Sequence, residues 1–239
     1  MSDTANLLLA ALAPDGLAAV APHATRVILR RGDILQPAHQ PAAAAFFPES
    51  GIASVVKADG HVARTEICLT GHEGFVGGAL VLADGHWPYE TFVQTETLSA
   101  IRIDAVSFAA LVRDLPDLRA MLLRAIQGQM VQLAEGLISA AWQKVPARLA
   151  RWLLMWRDRV GLDRLEITHE FIAAMIGVQR TGITGALHEL EGAGLLSAGR
   201  GWIVVRDPAG LERVADGAYG VTEREQHRLV GGPAPIDAA

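Results

Sequence analysis

The run ITHEFIAAMIGVQRTGITGALHELEGAGLLSAGRGWIVVR, Ile167–Arg206, constrains the fold more than any other stretch. Phe171, Ile172 and Met175 form an apolar stripe at helical spacing, and Thr168 is placed to cap its start. Gly177 follows, where a residue that tolerates left-handed backbone lets a second helix leave at a steep angle. Ala173 is small enough for that helix to approach, and Ile183 points back between the two. The second helix spans Gln179 to Glu191 with Ile183, Ala186, Leu187 and Leu190 on its apolar face. Arg180, Thr181, Thr184 and His188 occupy the other face, and Gly192 and Gly194 end the helix. Leu195–Ser197 and Trp202–Val205 then make short strands around Ala198-Gly199-Arg200-Gly201. The whole reads as a winged helix-turn-helix, a shape that sets one helix in the DNA major groove.

The rest of the chain is patterned differently. Its 239 residues hold two modest domains, and 51% hydrophobic with 20% charged residues is a globular balance. No apolar run reaches membrane-span length and no basic start precedes LLLAALA, so the reading is a cytoplasmic protein without a membrane partner. The single cysteine, Cys68, excludes an internal disulfide framework. Net charge is −5, an unexpected sign for a DNA binder. Residues 144–213 nevertheless hold 10 Lys and Arg against 8 Asp and Glu.

Taken in order, residues 1–25 offer a short apolar helix, Leu7–Leu12, and a second around Asp15–Val20. Residues 26–104 read as short strands parted by Gly and Asp clusters, including Asp59-Gly60, which suggests a sandwich or roll. Phe46-Phe47, Phe75-Val76 and Glu90–Gln94 are among the strand candidates. The period then changes: Leu123, Ile126, Met130, Leu133, Leu137 and Ala140 recur at intervals of three and four, a coiled-coil type of seam. That seam is buried either on the chain's own roll or on a twofold mate. Pro146 breaks the chain before a further helix, Ala147–Val160, and marks a hinge. Ala209–Ala218 offers one more helix. The end, with Gly231-Gly232-Pro233-Ala234-Pro235, reads as a disordered tail over 221–239. The expected class is α+β, with a roll over 1–114, a long helix over 115–144 and a winged helix over 145–220.

Val145, Arg148 and Ala150, the ITHEFIAAMIGVQRTGITGALHELEGAGLLS run and the wing GRGWIVV together resemble the Crp/Fnr family of bacterial transcription regulators. The resemblance covers roughly residues 15–206 and is specific in the last third. It implies a cyclic-nucleotide-binding-like β-roll, a homodimer through the seam helix, and double-stranded DNA and RNA polymerase as partners. It makes Arg180 the arginine for a guanine edge, which its planar fork matches. Thr184 and His188 follow on the same face; Gln179 and Thr181 suit phosphates near the helix start, with Thr168 beside them; Arg200 suits a backbone or minor-groove contact or is an ordinary turn arginine. The family's well-known member has a glutamate and a second arginine where this chain has Thr181 and Gly185, so a different DNA sequence is expected. Gly182 and Gly185 each cost roughly 1 kcal/mol inside a helix, which fits either close approach to DNA or tolerance in a well-packed helix.

The effector pocket departs from the family. The resemblance calls for a Gly-Glu pair, an Arg-Ser pair and a Thr-Ser pair to hold phosphate, ribose and adenine. The glutamate position falls on Gly78, beside Gly77, the arginine position among Trp87-Pro88-Tyr89-Glu90, and the adenine pair on Leu133-Ala134. No Arg or Lys lies between Gly71 and Ile101, and Asp84 and Glu90 would repel a phosphate. No response to cyclic AMP is expected. Trp87, Tyr89 and Phe92 either line an apolar pocket for another ligand or fill the core. An iron–sulfur cluster needs more cysteines than Cys68, whereas haem stays open through Cys68 with His61 or His72. Two other functions compete: a winged helix used as a protein contact, and a cupin-type enzyme. The latter lacks a His-x-His, since His61, His72 and His86 are scattered.

Overall fold

The computed structural model describes residues 3–57 and 64–231; the expected turn at Asp59-Gly60, His61, and the tail from Gly232 onward lie outside them. Two short helices open the chain, α1 Leu7–Ala10 and α2 Pro14–Val20, followed by a 3₁₀ turn at Ala21–His23. Asn6 starts α1 by accepting from Leu9 N at 3.2 Å, and its amide pins α1 to the roll by donating to the carbonyls of Pro48 and Gly74.

Strands β1 Thr25–Arg30, β2 Ile34–Gln36, β3 Gln40–Pro41, β4 Ala44–Ser50, β5 Ala53–Lys57 and β6 Thr65–Thr70 follow. A one-and-a-half-turn helix, α3 Gly78–Leu82, precedes β7 His86–Trp87, β8 Glu90–Val93 and β9 Thr97–Asp104. The pairings are antiparallel and give one sheet of order β1-β9-β4, one of order β2-β8-β5-β6, and a small β3-β7 pair. The strand expected at Phe75-Val76 is instead a single bridge, Phe46 to Val76. Between the two large sheets lie Leu35, Phe46, Ala53, Val76, Val93 and Leu98.

The four-stranded sheet is covered on both faces. Side chains alternate along β5 and β8, so Ala53, Val55, Thr91 and Val93 face inward while Ser54, Val56, Phe92 and Gln94 face the other way. Ile52, Val56, Leu69 and Phe92 on that outer face join one continuous core with the C-terminal domain.

Helix α4 Ala105–Asp114 is capped by Asp104, which accepts from Val106 N and Ser107 N. Pro116 then begins α5, Pro116–Trp142, because proline tolerates the first helical turn. The chain breaks over Gln143-Lys144, both extended, and α6 runs Val145–Val160 with Pro146 in its first turn. Trp152 Nε1 donates to Glu66 Oε1 at 2.8 Å and Trp156 Nε1 to Gln94 Oε1 at 2.7 Å, which docks α6 on the roll. Burial of two tryptophans contributes several kcal/mol.

β10 Arg164–Leu165, α7 His169–Ile176, α8 Arg180–Gly192, β11 Leu196–Gly199 and β12 Trp202–Val205 form the winged helix, with strand order β10-β12-β11. After α9, Pro208–Val214, the residues expected to be disordered instead form α10, Val221–Val230. Glu223 accepts from Gly220 N at 2.9 Å and fixes its start. Helix α10 lies along α5. Arg151 donates to the carbonyls of both Ala218 and Gln132, Gln226 sits against Gly128, and Val230 joins the cluster that holds Met121. The two helices are therefore antiparallel. A Cβ on Gly128 would come within 3.1 Å of Gln226, so the glycine permits the close approach.

Candidate nucleic-acid interface and ligand cavity

The geometry of the two-helix motif follows from its local sequence. Thr168 Oγ1 accepts from Phe171 N at 3.2 Å and starts α7. Gly177 ends it at φ 66, ψ 46, a left-handed conformation that glycine adopts without strain. Beneath α8, Ile183, Ala186, Leu187 and Leu190 are buried with Ile172 and Met175. Arg180, Thr181, Gly185 and His188 are left exposed, with Thr184 partly so and Gln179 exposed at the N-cap. Helix α8 begins one residue later than expected because Gln179 is extended, at φ −72 and ψ 145. The wing strand begins at Leu196 rather than Leu195.

Thr168, Arg180, His188 and Arg200 converge on one hollow of about 410 Å³ between α7, α8 and the wing. Gln179, Thr181, Thr184 and Gly185 lie outside its lining, on the exposed or partly exposed side of α8. His169 and Glu170 enter the same hollow and were missed in the sequence. Their signal was position alone, directly after the Thr168 cap. Burial, then the charges of Arg180 and His188, hold the His169 imidazole below its ordinary pKa. Glu191 also reaches the hollow, where it accepts from Ala198 N at 3.0 Å and braces the wing. No Cβ on Gly182 or Gly185 would meet anything within 4 Å.

The cavity at the roll is smaller, about 170 Å³, and is roofed in part by α5. Of the residues assigned to the effector pocket, Gly77, Gly78, Trp87 and Leu133 line it. Tyr89, Glu90 and Phe92 do not. Strand parity is the reason: Thr91 faces the cavity, so Glu90 and Phe92 on either side of it face the opposite way. Tyr89 precedes the strand and packs edge-on against Trp87, 5.6 Å between ring centres. Asp84 is exposed and pairs with His86 at 3.2 Å, well clear of the lining. Glu90 is met by Arg64 at 3.0 Å, a cation that sequence distance hid. That guanidinium also stands 5.3 Å over Phe92, on the outer face of the sheet.

On α5, Leu123, Met130, Leu133 and Leu137 are exposed at 37–72%, and Ala140 is exposed too. Ile126 departs from the expected seam: it is only 9% exposed and packs in the roll's cluster, 3.7 Å from the Cβ direction of Gly78. Its position on the helix lies towards the sheet rather than towards the open side.

Cys68 is buried among the cavity walls, and burial pushes its thiol up to about 12. Among the described residues no three His, Cys, Asp or Glu side chains gather as a metal site, and no helix is long and apolar enough to cross a membrane.

Comparison with known proteins agrees with this architecture. Residues 147–214 match the family model of the Crp-like helix-turn-helix domain. A cyclic AMP receptor protein of Thermus thermophilus is 33% identical over 128 residues, 52% of this chain and 56% of that protein. The match thus spans little more than half of that relative's length. A Crp/Fnr-family transcriptional regulator of Thermus thermophilus superposes with a TM-score of 0.66 at 20% identity, covering 81% of this chain and 100% of that one. The c-di-GMP-responsive global regulator of Xanthomonas campestris gives 0.67 at 16% identity, covering 81% and 99%. Residues 147–214 thus carry a Crp-like helix-turn-helix domain, and the fold of the chain is similar to that of Crp/Fnr-family regulators.

Proposed function

We propose that the protein is a homodimeric, sequence-specific transcription regulator that reads a pseudo-palindromic DNA site through α8 and does not use cyclic AMP as its effector. One observation carries the DNA reading: α8 buries its whole apolar side and leaves Arg180, Thr184 and His188 on the open side, next to Arg200 of the wing. A protein contact at this surface would favour aromatic anchors over that polar set. Arg180 then reads a guanine, Gln179 and Thr181 hold phosphates, and Arg200 follows the backbone. The exposed leucines and methionine of α5 suit a twofold mate, which would set two α8 helices about one DNA turn apart. A cavity with no Lys, Arg or His among its described lining residues supports the exclusion of cyclic AMP, whose phosphate needs a cation. Activity in the cytoplasm and contact with RNA polymerase belong to the same reading.

The test is selection of DNA from a random pool by the purified protein, at one moderate salt concentration, with and without cyclic AMP. Enrichment of one palindrome in both arms is expected. Enrichment only with cyclic AMP overturns the effector reading, and none in either arm overturns the DNA reading.

A further inference from the structure

The cavity under α5 has a chemistry of its own. At about 170 Å³ it has room for a molecule the size of benzene. Its floor is the inward parity of the sheet, with Val55, Cys68 and Thr91. Its roof is Ile126, Met130 and Leu133 of α5. No Asp, Glu, Lys, Arg or His is among the described residues that line it. The nearby glutamines are already engaged: Gln129 Nε2 donates to Thr70 Oγ1 and Phe75 O at 3.3 Å, and Gln36 Nε2 to Gly85 O at 3.3 Å. The Cys68 thiol stays neutral at physiological pH. The Arg64–Glu90 pair stands at the outer face of the sheet, by Phe92. An ionised ligand would lose its water here and find no counter-charge, whereas a neutral ring loses little and gains apolar contact.

Two residues of the roof have a second exposure. Met130 is 63% and Leu133 37% exposed, so both belong to the cavity and to the open side of α5. Whatever fills the cavity fixes how these side chains stand on the surface that a second copy would meet.

We propose that this cavity binds a small neutral ring compound, between benzene and indole in size, and that α5 transmits its occupancy to DNA affinity through Met130 and Leu133. The effector role rests on the DNA-binding reading above. The binding itself does not.

The full chain is titrated by calorimetry and thermal melting with toluene and indole, with their charged counterparts benzoate and indole-3-carboxylate, and with cyclic AMP. Two variants fill the space. Gly78→Leu enters it from α3, where a Cβ makes only ordinary contacts of 3.7 and 3.9 Å with Ile126. Cys68→Leu enters it from the floor. At least one neutral ring is expected to bind and raise the melting temperature by a few degrees, the charged compounds are not, and either folded variant is expected to lose the effect. Binding is expected to change DNA affinity about fivefold or more in the wild-type chain. Failure of both neutral rings, equal binding of benzoate, or binding that survives in a folded variant overturns the site. Ring binding that leaves DNA affinity unchanged overturns the effector role. A chain that selects DNA but binds no ring retains the DNA reading, and one that binds a ring but selects no DNA loses it.

Discussion

Two hollows of this molecule are built on different chemistry. The one between α7, α8 and the wing, about 410 Å³, is lined by charged and polar side chains, Arg180 and Arg200, His169 and His188, and the carboxylates Glu170 and Glu191. The one between the roll and α5, about 170 Å³, is lined by apolar and neutral polar groups only. Open cationic groups on a helix suit a polyanion that brings its own counterions to release. An apolar, uncharged cavity suits a molecule that sheds little water on entering it. The net charge of −5 hides this, because sign matters surface by surface.

The comparison breaks most visibly if the seam of α5 is not an interface. Met130→Glu with Leu137→Glu places charges on its open side, where neither residue is buried. Loss of the dimer in analytical ultracentrifugation and a fall in palindrome affinity of about 100-fold or more are expected. A double variant that remains dimeric would move the interface elsewhere.

Arg180→Ala tests the charged hollow directly. It is expected to weaken the preferred site by about 1–3 kcal/mol and to relax preference at one base pair in a binding titration. Unchanged affinity would remove Arg180 from base contact.

A smaller effect concerns His169, whose pKa lies below its ordinary value through burial and the nearby Arg180 and His188. Arriving phosphates favour the protonated ring, so the bound-state pKa exceeds the free-state one. DNA affinity is therefore expected to rise as pH falls through the bound-state value and to level off below the free-state value, by about threefold to tenfold overall. Stability of the free chain moves oppositely, declining as pH falls below the unfolded pKa, because the folded state holds this proton less well. His169→Gln should flatten both profiles in parallel titrations.

Gly185→Ala is the gentlest probe. Open space surrounds the position, so helix stability is expected to rise by about 0.5–1 kcal/mol in urea melts. A simultaneous fall in DNA affinity would show that the glycine is kept for close backbone approach.

How much of this was legible differs by region for a physical reason. The winged helix was readable because its signals are local: a cap at Thr168, a left-handed turn at Gly177, and one apolar face on α8. The cavity lining was only half readable. Trp87, Gly78 and Leu133 line it, but Glu90 and Phe92 share the strand face opposite Thr91, and which of the two faces meets the cavity is set by the fold rather than by the sequence. Ile126 was misassigned because helical spacing shows an apolar stripe without saying which neighbour covers it. The Arg64–Glu90 pair and the buried Arg159–Glu73 pair, 2.8 Å apart, join residues far apart in sequence and left no local trace. Helix α10 was missed because most of VTEREQHRLV is polar; Leu229 and Val230 acquire meaning only against α5.

The return of α10 to α5 has a mechanical consequence. The winged helix leaves α5 through the extended Gln143-Lys144 link and comes back to the same helix through Ala218 and α10. It is thus a loop with both ends moored to one rod. A body held at one point can swing in any direction, whereas one held at two turns only about the line between them. Any larger reorientation of α8 must part the core it shares with the roll and also peel α10 away from Gly128. The mooring at the second point therefore sets how many ways α8 can be presented to a double helix.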